Sequence, residues 1–143
     1  MKRHHVDKLQ SAIRSLEDAL KYARSAEFQE LGSEFKSVLI AAVIQNFKLT
    51  LGVCRQMMIQ LLAELGEGNS EGRTFEDILR LSADKGLISN LEGWLGYLDS
   101  EHMDPSSNLG IRTFETASSF MADLAALLQT CESQTPSEHR RAA

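Results

Sequence analysis

The stretch from Glu34 to about Leu65 contains no proline, and its apolar residues, Phe35, Val38, Val43, Phe47, Leu49, Val53, Met57 and Leu61 among them, point to most of a helical circumference. A helix that lies on the surface of a bundle shows one apolar stripe. One that is apolar over so wide an arc is contacted on several sides. The chain is therefore expected to fold around one long central helix, with the remaining segments packed on it.

Those segments read as helices too. Val6, Leu9, Ile13, Leu16, Leu20 and Ala23 recur three and four apart among charged residues, which predicts a helix over about residues 5 to 27. Leu31-Gly32-Ser33 interrupts it, and Ser33 is the expected N-cap of the central helix. Three glycines within residues 66–72 end that helix in a loop. Thr74 followed by Asp77 predicts a capping box for a short helix stopping at Gly86, and Asn90 is placed to cap a second short one bearing Trp94 and Leu98. Pro105 and Ser106-Ser107-Asn108 break the chain before a last helix over about 112–131, with Phe114, Ala117, Met121, Leu124, Leu128 and Cys131 at helical spacing.

No segment alternates with period two, so the expected fold class is all-α: an antiparallel up-and-down four-helix bundle whose fourth corner is made of the two short helices. Its 143 residues suffice for one domain, expected over 1–132 with a flexible tail over 133–143.

Composition narrows the function classes. A net charge of -5 argues against a broad phosphate-neutralising surface, so direct nucleic-acid binding is not the default. The longest unbroken apolar run, Val38 to Ile44, ends at Gln45-Asn46, far short of the roughly 20 residues that span a bilayer. No membrane partner is expected on that ground. Cys54 and Cys131 lie in apolar stretches and are expected as buried free thiols, in keeping with a cytoplasmic location.

Catalytic and metal motifs do not assemble. His4, His5, His102 and His139 have no second ligand at helical or finger spacing, so no metal site is expected, and no glycine-rich phosphate loop occurs, so no cofactor is. Gly32-Ser33 resembles the opening of a nucleotidyltransferase active site, but no pair of acids follows over Lys36 to Thr50 to hold magnesium. His102, beside Glu101 and Asp104, reads first as a solvated loop histidine. Gln45 and Lys48, three apart, share one side of the central helix, and Trp94 and Tyr97 read first as core anchors.

Ala42-Val43-Ile44-Gln45-Asn46-Phe47-Lys48-Leu49-Thr50-Leu51 resembles the x-I-Q-x-F-E-F-T-F-E-L-A-W-K signature of the nucleotidyltransferase substrate-binding proteins, bacterial relatives of the HEPN domains. Arg73 to Ile78, Ala83-Asp84-Lys85-Gly86-Leu87-Ile88 and Trp94 are similar to that family's second conserved stretch in order and spacing. The Glu that follows the signature's aromatic-Thr-aromatic run is Gly52 here, its Trp is Arg55 and its Lys is Gln56. The Arg-Asn-x-x-x-His element of HEPN ribonucleases is replaced by Glu101 to Ser106, and no Arg-x4-6-His occurs in the chain. The base and cation needed for RNA cleavage are thus not encoded.

The resemblance implies a non-catalytic helical subunit that pairs with a separately encoded minimal nucleotidyltransferase and helps form its acceptor site, as part of a toxin-antitoxin-like pair, and that is itself a homodimer. It singles out Gln45, Lys48 and Arg73 as substrate- or partner-binding residues and assigns no catalytic residue. The alternatives are a HEPN-type ribonuclease using His102 and a dimeric scaffold bundle with no nucleotidyltransferase partner.

Overall fold

The computed structural model describes residues 3–25, 32–67, 72–100 and 110–134. Five helices occur among them: α1 (Arg3–Arg24), α2 (Ser33–Glu64), α3 (Phe75–Asp84), α4 (Leu91–Ser100) and α5 (Gly110–Gln134). The class is all-α, as expected. Gln10 reaching Glu132, and Arg24 reaching Ser118, fix α1 and α5 as antiparallel neighbours. α1 and α5 both pack on α2, while α3 touches α2 and α4 touches α5, so the two short helices occupy the bundle's fourth corner.

The helix ends follow local chemistry. α1 buries Val6, Leu9, Leu16, Leu20 and Ala23, and carries Lys21 and Arg24 in its last turn, where cations complement the helix dipole. α2 begins after Gly32 in extended conformation, with no side-chain cap bond. Gly32 therefore stands where Ser33 was expected to cap, and Ser33 itself is the first helical residue. At its far end Gly66 takes φ 89°, its amide bonds to the Ala63 carbonyl, and the Glu67 amide bonds to that of Leu62 at 2.9 Å. This double closure satisfies orphan carbonyls and needs a residue free to adopt positive φ.

α3 ends in the same way on Gly86, with the Leu87 amide on the Ser82 carbonyl. Its start is the expected capping box: the Asp77 amide donates to the Thr74 hydroxyl and the Thr74 amide to the Asp77 carboxylate, each at 3.1 Å. Asn90 caps α4 through the Gly93 amide at 3.2 Å. α5 runs to Gln134, past the expected end near Cys131. The proposed tail beyond Gln134 and the Glu101–Ser106 element with His102 lie outside the described residues.

The core is one cluster spanning all five helices. At its centre Phe47, Trp94, Tyr97 and Phe120 pack ring against ring, Phe120 lying 4.8 Å from Phe47, 4.9 Å from Tyr97 and 5.7 Å from Trp94 between centroids. Trp94 and Tyr97 are thus core anchors, as first read. Cys54 and Cys131 are buried thiols outside any disulfide.

By length and composition the Ser37–Glu64 part of α2 is apolar enough to cross a membrane, with mean hydropathy 1.6 over its most apolar window. Counting unbroken runs missed this, because Gln45, Asn46 and Lys48 interrupt the run without lowering the average enough. In the bundle one side of this segment is core, and only 33% of the window is buried.

Candidate functional site

α2 has two different sides. One carries Val43, Phe47, Thr50, Leu51, Cys54, Met57, Met58, Leu61 and Leu62 into the core. Its polar member is accounted for within the fold, since the Thr50 hydroxyl lies 2.7 Å from the Asn46 carbonyl and 3.3 Å from the Ala12 carbonyl of α1. The Asn46 amide likewise donates to the Ala42 carbonyl at 2.8 Å. The opposite side presents Phe35, Val38, Ala42, Gln45, Leu49, Gly52 and Gln56, all exposed, at alternating three- and four-residue steps. Phe35, Val38 and Leu49 are 63%, 64% and 59% exposed. For three large apolar side chains on one helix face this marks a surface shaped for contact rather than for water.

Of the residues singled out from sequence, Gln45 lies in this outward seam and Lys48 beside it, half-buried. Arg73 does not join them. It sits before α3, facing Glu67 at 4.0 Å, and Glu67 also holds Lys85 at 3.2 Å. At about 1.5 Å of rise per residue, Lys48 is roughly 24 Å along the axis from the end of α2 where Arg73 stands. The Arg73 Nη1 atom is buried without a hydrogen-bond partner. Nearby, the Arg55 guanidinium lies 5.9 Å from the Phe75 ring centroid and ties α2 to α3. The candidates therefore form one pair at mid-helix and one isolated cation at the bundle's end.

A second feature was not read from sequence. Asp123 of α5 accepts hydrogen bonds on one oxygen from both the Tyr97 hydroxyl and the Asn90 side-chain amide, the latter at 3.0 Å. Burial, and then this bond to Asp123, push the Tyr97 phenol well above its ordinary range. Beside the network an open recess of about 110 Å³ is lined by Ser89, Trp94, Asp123, Thr130 and the turn at Gly86–Ile88. Asp123, Ala126 and Thr130 reach it at i, i+3 and i+7 of α5. The available signal was an acid spaced three residues after Phe120 and four before Leu127, at the border of the buried stripe. Among the described residues no group of three His, Cys, Asp or Glu side chains is gathered for a metal ion.

The family model described as "Nucleotidyltransferase substrate binding protein like" matches residues 4–106, most of the chain. The chain belongs to this nucleotidyltransferase substrate-binding family. α1 from its second residue, α2 with its seam, α3 and α4 fall inside the matched span, whereas the whole of α5, Asp123 included, falls outside it. The fold of this family member is also similar to that of HI0074 from Haemophilus influenzae, with a TM-score of 0.78 and 23% identity over 89% of this chain and 98% of that one. That structure is described as revealing the fold of a substrate binding domain of a nucleotidyltransferase. No curated protein sequence matches the chain.

Proposed function

We propose that this protein is the non-catalytic binding subunit of a two-component nucleotidyltransferase. It pairs with a separately encoded minimal nucleotidyltransferase, which supplies magnesium and nucleotide chemistry, and it helps to form the acceptor site. It does so as a homodimer in the cytoplasm, as half of a toxin-antitoxin-like pair. The observation that carries the reading is the outward face of α2: within a family described as substrate-binding, Gln45 and Lys48 sit on and beside an exposed, uncharged surface instead of inside the core. A surface of that kind suits a macromolecular contact.

The seam is also where the family signature departs, at Gly52 and Gln56. Arg73, remote from it, is then a contact to a different part of the partner or to the acceptor. Affinity purification from the native host tests the reading. Recovery of a small protein bearing a Gly-Ser motif and paired acids supports it, and recovery of the chain without such a protein under native expression refutes it. The ribonuclease alternative predicts RNA cleavage by the purified chain that is lost in His102→Ala; intact RNA refutes that alternative.

A further inference from the structure

The recess beside Asp123 pairs an apolar floor with an acidic rim. Trp94, only 1% exposed, lies at its deep end, and the buried Leu87 adds to the apolar lining. Apart from the indole N–H, the polar side chains that line it are Ser89, Asp123 and Thr130, and none of its lining residues is basic.

The fold uses only half of the Asp123 carboxylate. Tyr97 and Asn90 both donate to Oδ2, which fixes the orientation of the group, whereas Oδ1 accepts from no described residue. No ion pair among the described residues includes Asp123. The basic residues nearest in sequence to the turn are engaged elsewhere, Lys85 with Glu67 at 3.2 Å and Arg80 with Glu76 at 3.0 Å. The Thr130 hydroxyl has its one proton between the Ala126 and Leu87 carbonyls, at 3.2 and 3.4 Å, so it offers the recess lone pairs. The turn at Gly86–Ile88 follows directly on the C-terminus of α3, the negative end of that helix's dipole. Carboxylate, hydroxyl and helix end thus gather negative potential in one recess that no cation of the described chain meets.

We propose that the recess binds a primary alkylammonium group, its nitrogen on Asp123 Oδ1 and the Thr130 hydroxyl and its alkyl stem against Trp94. An ammonium brings three N–H donors and no acceptor, which matches a rim of oxygens. A guanidinium forms its paired hydrogen bonds with both oxygens of a carboxylate, and Oδ2 is already taken twice. A divalent metal ion takes six or more oxygen ligands, and among the described residues no three His, Cys, Asp or Glu side chains are gathered. A cavity of about 150 Å³ holds the six carbons of benzene, so the recess of about 110 Å³ takes roughly four or five heavy atoms, an ammonium on three or four carbons. A small free amine and a lysine side chain of another protein both carry that group. Asp123, Ala126 and Thr130 lie beyond the residues 4–106 that the family model matches, and the site needs no nucleotidyltransferase to form.

The test uses the full chain labelled with nitrogen-15. Trp94 is the sole tryptophan, so its indole N–H gives a single resonance that reports on the floor of the recess. Titration with n-butylammonium chloride near neutral pH is expected to move that resonance saturably, with a dissociation constant on the order of 1 mM, as befits a five-atom fragment. Butan-1-ol, which is uncharged, and tetramethylammonium, which has no N–H, are expected to leave it in place at the same concentrations. Asp123→Asn keeps the shape of the side chain and an acceptor for Tyr97, and is expected to weaken butylammonium binding by about 10-fold or more. Ala126→Met, at an exposed position of the lining, is expected to fill the recess and abolish binding, with circular dichroism showing that both variants are folded. Tighter binding of 1,4-diaminobutane than of butylammonium assigns the group to a free amine; tighter binding of Nα-acetyl-lysine methylamide assigns it to a protein lysine.

The absence of a saturable shift in the wild type overturns the proposal, whether or not the chain pairs with a nucleotidyltransferase. A response to butan-1-ol equal to that of butylammonium makes the recess an apolar pocket only and overturns it as well. Unchanged affinity in folded Asp123→Asn removes the carboxylate from the site, and unchanged affinity in Ala126→Met removes the amine from the recess; either result refutes the assignment.

Discussion

Replacing Asp123 with alanine isolates the link between α5 and the start of α4. The carboxylate accepts the Tyr97 hydroxyl and the Asn90 amide on one oxygen. A hydrogen bond to an ionised group is worth about 1.5–3 kcal/mol net. Asn90 is exposed and rehydrates when released, so most of the loss falls on the Tyr97 hydroxyl, whose residue is only 4% exposed. The expected destabilisation is about 2–3 kcal/mol, or roughly 6–10 °C in Tm for a chain of this length. Trp94, the sole tryptophan, lines the same recess and reports unfolding by fluorescence during urea titration.

Tyr97→Phe removes the same bond from the other side and should cost about 1–2 kcal/mol, with the m value unchanged in both variants. In the double variant the two losses should fall short of their sum by about 1 kcal/mol or more, because the bond can be lost only once. Asp123→Ala within about 0.5 kcal/mol of wild type, or strict additivity with Tyr97→Phe, would refute the reasoning.

Thr74→Ala removes one half of the capping box and should cost about 1 kcal/mol by urea melting. Alkali should destabilise the fold. Burial pushes the Cys54 thiol far up and the Cys131 thiol up to about 11, both from an ordinary 9.0, so each stays protonated in the fold after it has ionised in the unfolded chain. Their contribution is fully present below about pH 9 and is lost as the pH rises toward the folded values, with a slope approaching about 1.4 kcal/mol per pH unit for each thiol. Urea melts at pH 8, 9 and 10 read that slope, and a flat profile contradicts it. Gln45→Ala with Lys48→Ala should leave urea stability within about 0.5 kcal/mol, since neither side chain is core, while weakening assembly.

Periodicity made α1 legible from Val6, Leu9, Leu16 and Leu20, all of which are buried. Local chemistry made the Thr74 box, the Asn90 cap and the glycine stop at Gly86 legible, because each depends on residues within a few positions. The two sides of α2 were not separable in this way. Phe35 and Phe47 are the same residue in the same apolar helix, and only the positions of α1, α3 and α5 decide that one is exposed and the other buried. Asp123 was invisible for a related reason: its partners are 33 and 26 residues away, and no local rule couples them. The separation of Arg73 from Gln45 and Lys48 follows from helix length. Two motifs read side by side are placed by an unbroken α2 at its middle and its end.

The central claim is that this chain binds for a catalyst it does not contain. The most direct measurement incubates labelled nucleoside triphosphate and magnesium with the chain alone, with the minimal nucleotidyltransferase recovered alongside it, and with both together, and follows nucleotidyl transfer to protein, RNA and small-molecule acceptors. The account predicts no transfer by the chain alone, and transfer by the pair that exceeds that of the nucleotidyltransferase alone and falls when Gln45 and Lys48 are replaced. Transfer by the chain alone, or a nucleotidyltransferase whose acceptor use is unchanged by its presence, would contradict it.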